Sequence, residues 1–176
     1  MAPKKPYLLL LGILGLSIAV ASFEFIAHEN TYTPIAGINR IMVIKHEHQL
    51  ELWTNDRMVS KYRVALGRGG LASKLKAGDN LVPEGTYYVV SHNAHSQFHN
   101  ALRLSYPNSK DREIAQTMGV DPGGDIMIHG IRNGLGWVGS FQSLFDWTKG
   151  CIAMTDAEID MVAREVPDGT IVEIRP

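Results

Sequence analysis

Ile41-Met42-Val43-Ile44-Lys45-His46-Glu47-His48-Gln49-Leu50-Glu51-Leu52-Trp53-Thr54 decides how this chain is read. Four consecutive apolar residues suit a short buried strand and are too few for a helix. After the polar run Lys45–Gln49, Leu50, Leu52 and Thr54 alternate with Glu51 and Trp53. A period of two turns one face to a core and the other to water. The stretch therefore predicts a β-hairpin, with Lys45–Gln49 as its connection and His46 and His48 flanking Glu47 in a solvated turn.

The same pattern extends outward. Tyr62-Arg63-Val64-Ala65-Leu66 predicts a third strand, stopped by Gly67, Gly69 and Gly70. Lys74–Asn80 reads as a solvated loop and Pro83-Glu84-Gly85 as a turn into the strand Thr86–Val90. Leu102–Tyr106 alternates until Pro107-Asn108, and Lys110–Met118 predicts a short helix. Pro122-Gly123-Gly124 turns into a strand, Asp125–His129, and glycine-rich Gly130–Gly139 reads as a loop. The clearest helix is Thr155–Val166: Thr155 and Glu158 form a capping box, and Ile159, Val162, Ala163 and Val166 share one face. A last strand follows, Thr170–Ile174. Many short strands with one or two short helices predict a mostly β sandwich or barrel-like fold, in one domain over residues 38–176.

Composition is ordinary for a globular domain, with 45% hydrophobic and 20% charged residues. The net charge of −1 gives no basic field for a nucleic-acid partner. The N-terminus differs from the rest. Lys4 and Lys5 precede an uncharged apolar run from Tyr7 to Val20, closed by Ala19-Val20-Ala21-Ser22. Residues 1–21 read as a secretory signal peptide or a membrane anchor helix, and 22–37 as a linker. Either implies export to the periplasm or the outer face of the cytoplasmic membrane, with membrane contact only through this segment.

Cys151 is the single cysteine. Exported domains commonly pair their cysteines as disulfides, so a lone one is either a reactive thiol or an inert buried residue. His129 closes the apolar run before it and is the candidate base that would generate a thiolate. Gly150 lets the backbone pass close to a substrate, and the N–H groups of Gly150 and Cys151 are candidate oxyanion donors. The helix starting near Thr155 would favour the thiolate if its N-terminus lies near the sulfur.

Five pieces in order resemble one known family. They are the N-terminal hairpin, Gly78-Asp79-x-x-x-Pro83-Glu84-Gly85, Ser105-Tyr106-Pro107-Asn108, Ile128-His129-Gly130 and Thr148-x-Gly150-Cys151. Together they resemble the L,D-transpeptidases with a YkuD catalytic domain, in a subset carrying Asp-Trp-Thr-x-Gly-Cys-Ile-Ala. The resemblance implies attack by Cys151 on the third residue of a peptidoglycan stem, loss of the terminal D-alanine, and transfer of the acyl group. The acceptor would be an amine on a neighbouring stem, a lipoprotein lysine or a free D-amino acid; some relatives use water. It implies His129 as proton carrier, with Gly150, Thr148, Gly130 and Lys149 as oxyanion or substrate contacts, and neither cofactor nor metal. Two positions depart from the commonest motif: Lys149 replaces a histidine, and Ala153 replaces an arginine or asparagine.

Other features are weaker. His92, His95 and His99 have a spacing that could present a metal face on a helix, but the flanks read as strand end and loop, so polar loop residues near the cleft are expected. Arg68-Gly69-Gly70 lacks the Gly-Lys-Ser/Thr ending of a phosphate loop. Trp137, Phe141 and Trp147 read equally as core or lid packing and as sugar platforms. Arg132 and Lys149 are candidate contacts for anionic stems. A silent wall-binding module is the alternative of another class.

Overall fold

The computed structural model describes residues 37–176. The signal or anchor segment and the linker up to residue 36 lie outside the described residues. Among the described residues, no helix is long and apolar enough to cross a membrane.

The opening stretch forms β1 (Arg40–Ile44) and β2 (Gln49–Thr54), joined by a 3-10 turn at Lys45–Glu47. Ile41 pairs with Leu52 and Val43 with Leu50, and all four are fully buried. Burying each such side chain favours the fold by about 1.5–3 kcal/mol. β1 also runs parallel to β8 (Ile171–Arg175), the strand that ends the chain.

The third strand is not where apolarity alone puts it. β3 spans Arg57–Arg63, because Asn55 takes a left-handed φ of 53° and reverses the chain directly after β2. Its N–H is held by Asn39 Oδ1 at 3.0 Å. Val64, Ala65 and Leu66, expected inside that strand, are fully buried beyond its end. Ala65 exchanges two backbone hydrogen bonds of 2.8 Å with Ala153.

That exchange closes the fold. The strand order is β3-β2-β1-β8-β4-β5-β6-β7, and Ala65–Arg68 carries the β3 end across to the β7 end. β4 (Gly85–Ser96) is long enough to serve two sheets. Its first residues pair with β8, and the rest pair with β5 (His99–Leu104), with register shifts after Val89 and Asn93. Such shifts let a strand pass from one sheet to the next. β6 (Met127–His129) and β7 (Ile152–Ala153) complete the second sheet. The expected mostly β architecture is thus present, with β4 running past the expected strand end at Val90.

Among the described residues two α-helices form, α1 (Ser109–Met118) and α2 (Asp156–Glu165). The Thr155–Glu158 capping box of α2 is formed, and Ile159 and Val162 face the core. The expected Gly130–Gly139 loop passes from Gly136 into 3-10 turns that reach Leu144 and are broken at Gly139. Lys74–Asn80 is the expected loop, with Leu75, Lys76, Ala77 and Gly78 exposed, but Lys74 itself is buried: its ammonium bonds Asp79 Oδ1 at 2.8 Å and the Lys76 carbonyl at 2.9 Å. Burial pushes the Asp79 carboxyl up, but bonds from Lys74 and from the Lys76, Leu75 and Leu81 N–H groups hold it down at about 2.

Candidate active site

β6 and β7 are short, and their pairing sets the site. They run parallel, with Ile128 opposite Ile152 and His129 opposite Ala153. Cys151 immediately precedes β7, two positions before Ala153, so the period of two directs it to the same face as His129. Cys151, His129, Thr148 and Lys149 line one cleft of about 530 Å³ with Gln97, Phe98, Arg132 and Trp147.

His129 is almost wholly buried. Its Nδ1 lies 2.6 Å from the Gly130 carbonyl oxygen. A carbonyl only accepts, so Nδ1 carries the proton and Nε2 is the basic nitrogen. Phe98 covers the ring at 4.5 Å between centroids, and Trp147 meets it edge-on at 5.7 Å. This apolar housing desolvates the imidazole and lowers its pKa, against the opposing pull of the Gly130 carbonyl.

Burial pushes the Cys151 thiol up, opposed by a backbone hydrogen bond from Met127 and by the more distant Lys74 ammonium. The Asp125 carboxylate adds to the rise, and the thiol donates to the Asp125 carbonyl at 3.5 Å. The imidazole and the thiol are therefore both held toward their neutral forms. At the α2 N-terminus the capping box is formed, and the Asp156 carboxylate accepts the Ile131 N–H.

The turn before the cysteine is built from backbone. Gly150 has φ +123°, and a Cβ there would stand 2.8 Å from the Leu81 carbonyl oxygen. Its N–H, an expected oxyanion donor, is already given to Thr148 Oγ1 at 3.2 Å, while that hydroxyl donates to the Cys151 carbonyl at 2.6 Å. Thr148 is thus a brace for the Cys151 turn. Gly130 is buried between Asp156 and His99, and its carbonyl accepts the His129 Nδ1–H. Lys149 is exposed at the cleft rim.

The remaining expectations divide. Trp137 and Phe141 are 82% and 71% exposed, so neither is core; Trp147 packs on the base. An adjoining apolar groove of about 420 Å³ shares Arg132 and Trp147 with the cleft. His92 and His99 turn to separate carboxylates, Asp168 and Asp160. His48, read as solvated, bonds Asp146, whose other oxygen accepts the Leu66 N–H. The stretch that holds Gln97 and Phe98 is expected near the cleft, but its polar, histidine-rich character carries no periodic signal that singles out these two residues.

A YkuD model, the L,D-transpeptidase catalytic domain, matches residues 38–174. The curated Escherichia coli K12 protein "Putative L,D-transpeptidase YafK" is 28% identical over 128 residues, covering 69% of this chain and 44% of that protein. Among solved structures, the helical cell shape determining protein Pgp2 of Campylobacter jejuni superposes with a TM-score of 0.61 at 21% identity. That match covers 78% of this chain and 47% of Pgp2. Bd1075 of Bdellovibrio bacteriovorus gives a TM-score of 0.58 at 19% identity, covering 79% of this chain and 48% of that one. The chain spans less than half the length of each of these relatives, and at such identities the superpositions speak for the fold. With the family model matching from β1 into β8, this chain belongs to the YkuD family, the L,D-transpeptidase catalytic domain.

Proposed function

We propose that this chain is an exported peptidoglycan L,D-transpeptidase working through a Cys151 thioester. One observation carries the reading: a thiol just before β7 and an imidazole on the adjacent β6, with its basic nitrogen fixed, line the same cleft. The resting pair is neutral, so the thiol proton passes to His129 Nε2 as sulfur attacks the carbonyl of the third stem residue. The new C–S bond forms, the C–N bond to the terminal D-alanine breaks, and the Nε2 proton leaves with that amine. An acceptor amine then attacks the thioester, gives its proton to Nε2, and the returning sulfur is reprotonated. The Cys151 N–H serves as oxyanion donor, since Thr148 engages the Gly150 N–H. Lys149 and Arg132 meet the carboxylates of the stem at the cleft rim.

The test is incubation of the purified protein with a disaccharide tetrapeptide and mass analysis of the products. Dimers joined through the third stem residues, with D-alanine released, are expected. Shortened monomers alone would assign water as acceptor and make the protein a carboxypeptidase or endopeptidase. No covalent adduct on Cys151, with the thiol inert to alkylation, would leave a wall-binding module and end the enzymatic reading. A carbapenem adduct on Cys151 is expected for the same reason as the acyl-enzyme.

A further inference from the structure

The β4–β5 connection is two residues, Gln97 and Phe98, and His99 opens β5 with φ +63°. Three elements pin this tip. From the loop after β6, the Asn133 N–H donates to the Gln97 carbonyl and its Nδ2 to the Ser96 carbonyl, both at 3.0 Å, while its Oδ1 accepts the His99 N–H at 2.9 Å. From the end of β6, the Gly130 N–H lies 3.1 Å from the carbonyls of both Phe98 and Asn100. From α2, Asp160 Oδ2 bonds His99 Nε2 at 2.9 Å, and Asp156 Oδ2 lies 4.0 Å from His99 Nδ1.

Gly130 is the junction between this tip and the base. A Cβ there would stand 2.7 Å from Asp156 Oδ1 and 3.0 Å from the His99 Cβ, so the backbone is held between them. Its carbonyl takes the His129 Nδ1–H, and the adjacent Phe98 ring covers the same imidazole. We infer that His99 is a positioning residue for His129: its bridge to Asp160 and Asp156 clamps the β4–β5 tip and Gly130 against the base. The clamp fixes the carbonyl that sets the tautomer and the ring that covers it. This inference rests on the proposed use of His129 as proton carrier.

The clamp responds to pH. The Asp160 bond raises the His99 pKa, desolvation opposes it, and the Asp156 and Asp160 charges add to the rise; Arg164, further along α2, acts on Asp160. The protonated form is thus favoured by folding. Its contribution is full below the ordinary histidine value and is lost as pH rises through the raised one.

The experiment compares His99→Asn, Asp160→Asn and His99→Lys in the full chain. Asparagine tolerates the left-handed backbone but is too short to keep the bridge. Three readouts are followed from mildly acidic to mildly alkaline pH: the ¹⁵N tautomer signature of His129, alkylation of Cys151 by iodoacetamide, and acylation by disaccharide tetrapeptide. A misplaced catalytic group is costly, so His99→Asn and Asp160→Asn should slow acylation about tenfold. The loss should fall on kcat more than KM, be greatest at acidic pH, and accompany loss of the single Nδ1–H tautomer. His99→Lys, which keeps a cation facing Asp160, should restore most of the rate and remove the alkaline decline. A His129 tautomer and alkylation rate within about twofold of the parent in both asparagine variants would overturn the inference. If the parent is not acylated, the enzymatic reading fails separately, while the tautomer and alkylation still decide the clamp.

Discussion

β1 and β7 are both central to this molecule, and they are held by different means. β1 is a five-residue strand paired on both sides, with Ile41 and Val43 buried in the shared core. β7 has two residues. It stays in place through β6 on one side, the Ala65 exchange on the other, and the Thr148 brace. The framework draws its stability from apolar area, which is forgiving of small shifts. The site draws its geometry from single backbone hydrogen bonds and close glycine contacts, where a displacement removes a contact outright. Damage to the first should lower stability and leave the chemistry intact, and damage to the second should do the reverse.

The largest expected effect breaks that comparison on the chemical side. Cys151→Ala should abolish acylation, and His129→Ala should lower it by about three orders of magnitude or more, with little change in thermal midpoint. An unfolded Cys151→Ala protein would show the site to be structural. The framework counterpart is Leu50→Ala, which should cost about 3 kcal/mol by denaturant titration, with near-normal acylation of the folded fraction. Gly150→Ala should show both kinds of damage. Its strained φ and close approach to Leu81 should cost about 2 kcal/mol and slow acylation together. A normal rate in that variant would remove the turn from the site's requirements. The smallest effect is on pH. Asp79 is held down at about 2, below its ordinary 3.8, so its contribution is present above the ordinary value and fades as pH falls through both. Asp79→Asn should flatten that acid loss by about 2 kcal/mol, read from denaturant midpoints at successive pH values.

Legibility follows the same division. β1, β2 and α2 were readable because each carries its own signal: alternation at Leu50 and Leu52, and a capping box at Thr155 and Glu158. Cys151 and His129 stood out as a lone thiol and a histidine closing an apolar run. β3 was misplaced because its start depends on one asparagine taking a left-handed conformation, which apolar periodicity does not register. Lys74 was read as solvated because its charge suggested water. Its burial depends on Asp79 and on a loop closing around both.

The amino-acid order alone determined the strand-rich framework, the capped helix and the choice of Cys151 and His129 as candidate site residues, because period, capping and residue chemistry act over a few neighbouring positions. Only the tertiary structure decided that β6 and β7 lie side by side, that Gly130 orients the imidazole, that Phe98 covers it, and that burial keeps the pair neutral. Those outcomes depend on groups far apart in the chain meeting at hydrogen-bond and van der Waals distance, and no local pattern encodes such a meeting.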